Sequence, residues 1–363
     1  MSENKEQVLQ EIQAILKGKP LETFDVREHV FAQVEKDSND PNNKNKTKKE
    51  KKEEFECDKD IFDEYDGRNR LLIKTAIGKK WAVPFNYDYD AAYFANLIYK
   101  AAFFPSGVIE PLRCVEKYEY VTVCDGHYFR GDTMNSWFTT LNEYFRLFGE
   151  KHLRYLTKTK RGPNTGKWCI PESCPPELIW AEKKWKNIGW IEYLSIPEVY
   201  TEVPLPPYIT KFLECVYTIG NFIPVPLAPN FNTCRSGLCH DYWDLTLRAI
   251  YQHYAKNYTE DSDDWKNLLS REGVKHWLDR YGSWDAFVEG NFLQDFVHEE
   301  RAPYGKPKEL WTGHFDNLGL PTEERQFAKF FTNATEWITE RSKKIAEALG
   351  TKVKRGSDVG EGI

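Results

Sequence analysis

Residues 118–149 read YEYVTVCDGHYFRGDTMNSWFTTLNEYFRLFG, and a change of period inside them sets the fold class. From Tyr118 to Cys124 and from His127 to Phe129 the run is rich in β-branched and aromatic residues. Asp125-Gly126 between them accepts the positive φ values of a type I′ turn, so a hairpin is predicted. From 133 to 148 the spacing lengthens: Met134, Trp137, Phe138, Leu141, Phe145 and Phe148 recur every three to four residues. That is the stripe of a core-facing helix, with Asp132 placed to cap it. A hairpin feeding a helix points to α+β architecture rather than alternating βαβ units.

The flanks extend the pattern. Helices are expected at 177–185, 207–217, 241–254, 263–270, 273–280 and 283–297. A long one follows at 322–349, where Phe327, Phe331, Ala334, Ile338, Ile345 and Leu349 share a face and Gly350 stops it. Residues 222–227 form a short apolar run. Upstream, 91–104 reads as helix, and Leu71-Leu72-Ile73 and Trp81–Phe85 flank Gly78-Lys79-Lys80 as a short strand pair. The expected fold class is α+β, predominantly α-helical with short antiparallel β hairpins. Residues 36–54, KDSNDPNNKNKTKKEKKEE, carry nothing that could fill a core. They divide the chain into a helical N-terminal segment (1–35), a flexible charged linker (36–58), a main α+β body (59–350) and a disordered tail (351–363).

The 12 Trp, 20 Tyr and 22 Phe supply a large core without staples, and eight Cys are too sparse to act as a disulfide framework. A net charge of −6 removes the footprint of a general polyanion binder, so any nucleic-acid contact is local. No apolar run is long enough for a membrane span or a signal peptide, which predicts a cytoplasmic protein with no membrane partner. Gly-rich phosphate loops, dinucleotide fingerprints, His-Glu-x-x-His and Gly-x-Ser-x-Gly are absent, against kinases, classical dehydrogenases, zincins and α/β-hydrolases.

The most distinctive segment is TIGNFIPVP (218–226), followed by Phe231-Asn232, Arg235 and DYWDLTL (241–247). Together with RGDTMNS (130–136) and FLQDF (292–296), it resembles an uncharacterised family of bacterial proteins, a domain of unknown function, over roughly 118–300. Ile219, Gly220, Asn221, Phe222 and Asn232 are also similar to part of the HNH-type nuclease domain of modification-dependent restriction enzymes. That resemblance implies a divalent metal and an upstream His that activates water. The upstream histidines, His29, His127 and His152, are none of them in a His-x-x-Pro setting, a departure from the nuclease pattern.

Asn221, Asn232, Arg235, Asp241 and Asp244 are therefore the candidate catalytic residues. Each has a structural counterpart: Gly220-Asn221 as a turn, Asn232 capping a turn, Asp241 as a helix N-cap, and Asp244 paired with Arg248 four residues on. Arg130, Asp132 and Asn135, at a strand-to-helix junction, and Gln294 and Asp295 are candidate binding residues. Arg235 is expected to be an exposed charge lining a cleft, with pairing to Asp241 as the alternative. Cys169, Cys174, Cys234 and Cys239 are spaced as two loose pairs and are not expected to hold zinc. Two functions follow: an enzyme acting on nucleic acid or nucleotide, in phage defence or toxin-like activity, or a non-catalytic binding or regulatory module.

Overall fold

A computed structural model of the chain describes residues 2–39, 72–74, 80–82, 88–112, 119–135, 137–152, 157–158, 168–169, 201–258, 263–299 and 304–350. The expected helix at 177–185, the charged stretch after Asn39, and the tail from Thr351 lie outside the described residues. The fold is α+β and mostly helical, with eleven α-helices among the described residues. Helices α1 (Ser2–Leu16) and α2 (Arg27–Asn39) form the lead-in, α2 running four residues into the charged stretch. Strands β1 (Leu72–Lys74) and β2 (Lys80–Ala82) pair antiparallel, as the Gly78 turn predicts.

Helix α3 (Tyr93–Ile98) widens into a π turn over Tyr99–Phe103. Strands β3 (Val108–Pro111), β4 (Tyr120–Cys124) and β5 (His127–Thr133) follow. Asp125 and Gly126 take φ of 52° and 77°, the two left-handed positions that the type I′ turn requires. Helix α4 (Trp137–Phe148) begins four residues later than its stripe suggests, because the chain up to Thr133 stays extended and pairs with β8 (Phe222–Pro226). Two short strands, β6 (Thr157–Lys158) and β7 (Trp168–Cys169), pair with each other. The main sheet is antiparallel in the order β3-β4-β5-β8. Pro224 and Pro226 sit on β8, an edge strand, where a missing N–H is tolerated.

Helices α5 (Pro207–Cys215), α6 (Phe231–Cys239), α7 (Trp243–Ala255), α8 (Asp263–Leu269), α9 (Glu272–Asp279) and α10 (Trp284–Gly290) lead to α11 (Glu324–Ala348). The helix expected over 283–297 ends at Gly290, and a 3-10 turn at Gln294–Phe296 replaces its last part. Glu323 and Gln326 form a capping box that starts α11. The helix packs against α5 and the 3-10 turns at Leu21–Thr23, Ile219–Asn221 and Gln294–Phe296. Its buried face carries Phe327, Phe330, Phe331, Ala334, Trp337, Ile338 and Ile345, and each large side chain contributes about 1.5–3 kcal/mol of burial. Its closest approach is at Gly220, where a Cβ would stand 2.0 Å from the Ile338 carbonyl oxygen. Helix α3 covers β3 and β4, while α6 and α9 pack on β8, so helices flank the polar junction at the end of β5.

Candidate functional site

Side chains alternate along β5, which places Tyr128, Arg130 and Asp132 on one face. Pairing between β4 and β5 stops at Thr122–Phe129, and beyond it the 3-10 turn Tyr89–Ala91 lies against β5. Gly131 allows that approach, since a Cβ there would be 1.9 Å from the Asp90 carbonyl oxygen. The same oxygen accepts a hydrogen bond from the Tyr99 hydroxyl at 2.8 Å, out of the π turn. Such single-turn widenings of a helix are frequent at functional sites.

Five carboxyl groups and two guanidiniums meet at this junction. Arg130 bonds Asp88 and, at 2.8 Å, Glu119. The fully buried Arg235, on α6, donates from Nε and Nη2 to Asp132 Oδ2 at 2.9 and 2.5 Å. Its Nη2 also lies 2.8 Å from Asp241 Oδ1. The Trp243 indole donates to the same Asp132 oxygen at 3.0 Å, and its ring stacks 4.7 Å from the Arg235 guanidinium. Asp90 accepts from Thr133 Oγ1 at 2.8 Å. Burial, then the charges of Asp88 and Asp132, push the Asp90 carboxyl up to about 8. Burial raises Asp132 to about 6; Arg235 opposes the rise, while Asp241 adds to it. Burial would lower the Arg235 pKa, but Asp132 and Asp241 outweigh it and hold the guanidinium charged. Burial thus raises both carboxyls, a kind of perturbation that clusters at functional sites.

Of the sequence candidates, Arg130, Asp132, Arg235 and Asp241 are brought together here, and the others are dispersed. Arg235 is not an exposed charge in a cleft: it is fully buried, because Asp132 reaches it from a strand 103 residues earlier. Asp132 is a strand residue and not the cap of α4. Asp241 has φ of 69° and is not the cap of α7, which starts after Tyr242. Asp244 does not pair with Arg248, whose Nη1 donates to the Phe315 carbonyl at 2.6 Å. Asp244 Oδ2 instead contacts His314 Nδ1 at 2.6 Å and accepts from Leu310 N at 3.0 Å. The amide and backbone N–H of Asn135 both donate to Asn221 Oδ1, and the Asn221 amide donates to the Val216 carbonyl, which ties the strand end to the Ile219–Asn221 turn. Asn232 lies inside α6 rather than at its cap, which is Asn230. Gln294 and Asp295 share the 3-10 turn before α11, and Asp295 pairs with Lys344. Asp88, Asp90 and Glu119 escaped the sequence reading; the alternation Asp88-Tyr89-Asp90 ahead of an apolar helix was the available signal.

The Cys239 thiol donates to the Arg235 carbonyl at 3.1 Å and the Cys234 thiol lies 3.5 Å from the Pro229 carbonyl, while Cys174 lies outside the described residues. Among the described residues no group of three or more His, Cys, Asp or Glu is arranged to hold a metal ion. No helix among them is long and apolar enough to cross a membrane.

A mixed fold with a partly buried carboxylate–guanidinium junction is the class that this geometry defines. Residues 190–345 match the model of a family of unknown function, DUF6994. The match contains the TIGNFIPVP, DYWDLTL and FLQDF segments but begins after RGDTMNS, so it lies further toward the C-terminus than the resemblance read from the sequence. The HNH resemblance has no support from it, and Asn221 is engaged with Asn135 and Val216 rather than with a histidine. No curated protein and no solved structure matches the chain.

Proposed function

We propose that this protein is a non-catalytic binding module that engages a protein partner through the open part of its sheet. One observation carries the proposal. Cross-strand neighbours Val108, Val123 and Tyr128 form an apolar row over three strands, and Val108 and Tyr128 are 55% and 48% exposed. Two residues along β5, the partly exposed Arg130 continues this face. An apolar row with a tyrosine and an arginine has the composition of an interface centre. The nucleic-acid reading is served less well, because each guanidinium of the junction already holds two carboxylates and leaves no free cation for a phosphate.

A photo-crosslinking residue at Tyr128 should give one discrete protein adduct in the native cell, lost on Val108→Asp. The purified chain should leave DNA, RNA and nucleoside triphosphates intact with Mg²⁺ or Mn²⁺. Absence of an adduct, or metal-dependent cleavage by folded protein, would overturn the proposal.

A further inference from the structure

Among the described residues two arginines are fully buried, and they are accommodated in opposite ways. Arg235 is enclosed by carboxylates. Arg341, on the buried face of α11, forms no ion pair with any described residue. Its Nε donates to the Asn291 carbonyl at 2.9 Å, and its Nη1 to the carbonyls of Gly220 and Phe222 at 2.8 and 2.7 Å. A guanidinium has five N–H donors. Three are used, and the two on the buried Nη2 have no partner among the described residues. Burial pushes this arginine down to about 9, with Tyr99 and Tyr281 the groups that oppose the fall.

A buried donor without an acceptor is destabilising, and a buried charge without a counter-charge is more so. The three carbonyls explain why Arg341 joins α11 to the 219–222 turn and to Asn291. They do not explain an arginine, since they leave its charge and Nη2 unanswered. The surroundings are aromatic: the Phe103 ring lies 5.8 Å from the guanidinium, and Phe292 packs edge-on to Phe103 at 5.4 Å. Phe292 and Tyr281 are half-buried and reach the surface. Phe292 has φ of 56°, a left-handed conformation that an aromatic residue rarely adopts and that often accompanies a ligand clamp.

The geometry points to a binding site for a small oxyanion, the carboxylate or phosphate group of a low-molecular-weight ligand, received by Arg341 Nη2 beside Phe103, Tyr281 and Phe292. Such a group supplies both the acceptor and the charge that the site lacks, and charge-assisted bonds of this kind are the strong ones. The site is formed from different elements than the open face of the sheet, so its success or failure leaves the binding-module proposal standing or falling separately.

The test is an NMR titration of the full chain labelled with ¹⁵N-arginine, using inorganic phosphate, acetate and chloride at constant ionic strength. Arg341→Lys assigns the resonance. The Arg341 side-chain signal should move saturably with phosphate or with acetate and not with chloride, and whichever saturates identifies the ligand class. A response to neither anion, or the same response at Arg235 and Arg248, would overturn the assignment. If Arg341→Lys does not fold, Phe103→Leu leaves all three carbonyl bonds in place and should change the anion dissociation constant at least threefold; an unchanged constant would also overturn it.

Discussion

Replacing Arg235 with Met removes the cation that Asp132 and Asp241 share, and leaves a nearly isosteric apolar chain against Trp243. Asp132 is 2% exposed and keeps only the indole as donor to Oδ2. Removing one member of a buried pair typically costs about 3–5 kcal/mol. For a chain of this size each kcal/mol lowers the midpoint by about 1–2 °C, so a fall of roughly 3–10 °C is expected. The cost also depends on pH. The Asp132 carboxyl already lies above its unfolded value, at about 6, with Arg235 holding it down. A raised carboxyl contributes stability that is present below its unfolded pKa and lost as pH rises through its folded one. Without Arg235 the folded pKa climbs further, so the carboxyl is protonated at pH 5 and charged or strained at pH 8, and the penalty is larger at pH 8. Urea denaturation followed by tryptophan fluorescence at both pH values measures this. A cost under about 1 kcal/mol at pH 8, the range of an exposed pair, or equal costs at the two pH values, would refute the reasoning. Adding Asp132→Asn should recover part of the loss, because the uncompensated charge goes with it.

Asp90→Asn should raise the thermal midpoint at pH 8 and change it little at pH 5. Asp90 is raised to about 8, so the native protein loses its contribution as pH climbs from about 4 to 8, and Asn still accepts from Thr133; an equal effect at both pH values would count against the buried carboxyl. Gly131→Ala drives a methyl into the Asp90 carbonyl and should cost more than about 2 kcal/mol or prevent folding; near-wild-type urea stability would show that the turn does not lie on β5. Asp244→Ala leaves His314 Nδ1 and the Leu310 amide without their acceptor and should cost about 2–4 kcal/mol, whereas Asp295→Ala, breaking a half-exposed pair with Lys344, should change stability by under about 1 kcal/mol. Equal midpoint shifts in these two variants would contradict the burial difference.

Elements whose stability is local were legible in the residues themselves. Asp125-Gly126 needs no distant partner to favour a type I′ turn, and the stripe from Phe327 to Ile345 with its Glu323–Gln326 box specifies α11 wherever a core lies beside it. The site was legible only as residue types. Arg130, Asp132, Arg235 and Asp241 were identifiable as charges in unusual positions, but their environment was not. Asp132 looks like a helix cap from its neighbours, yet β8, arriving some ninety residues later, extends β5 through it and turns it inward to Arg235. Asp244 looks like the partner of Arg248, four residues away, yet His314 reaches it from seventy residues downstream. Arg341 falls between Ile338 and Ile345 on the apolar stripe of α11, but the three carbonyls that close around it come from two other segments. Capping and periodicity act over a single turn, so the chain carries them in its local order; whether a charge is buried, and with what, depends on which distant segment displaces the water around it, and that only the tertiary structure decided.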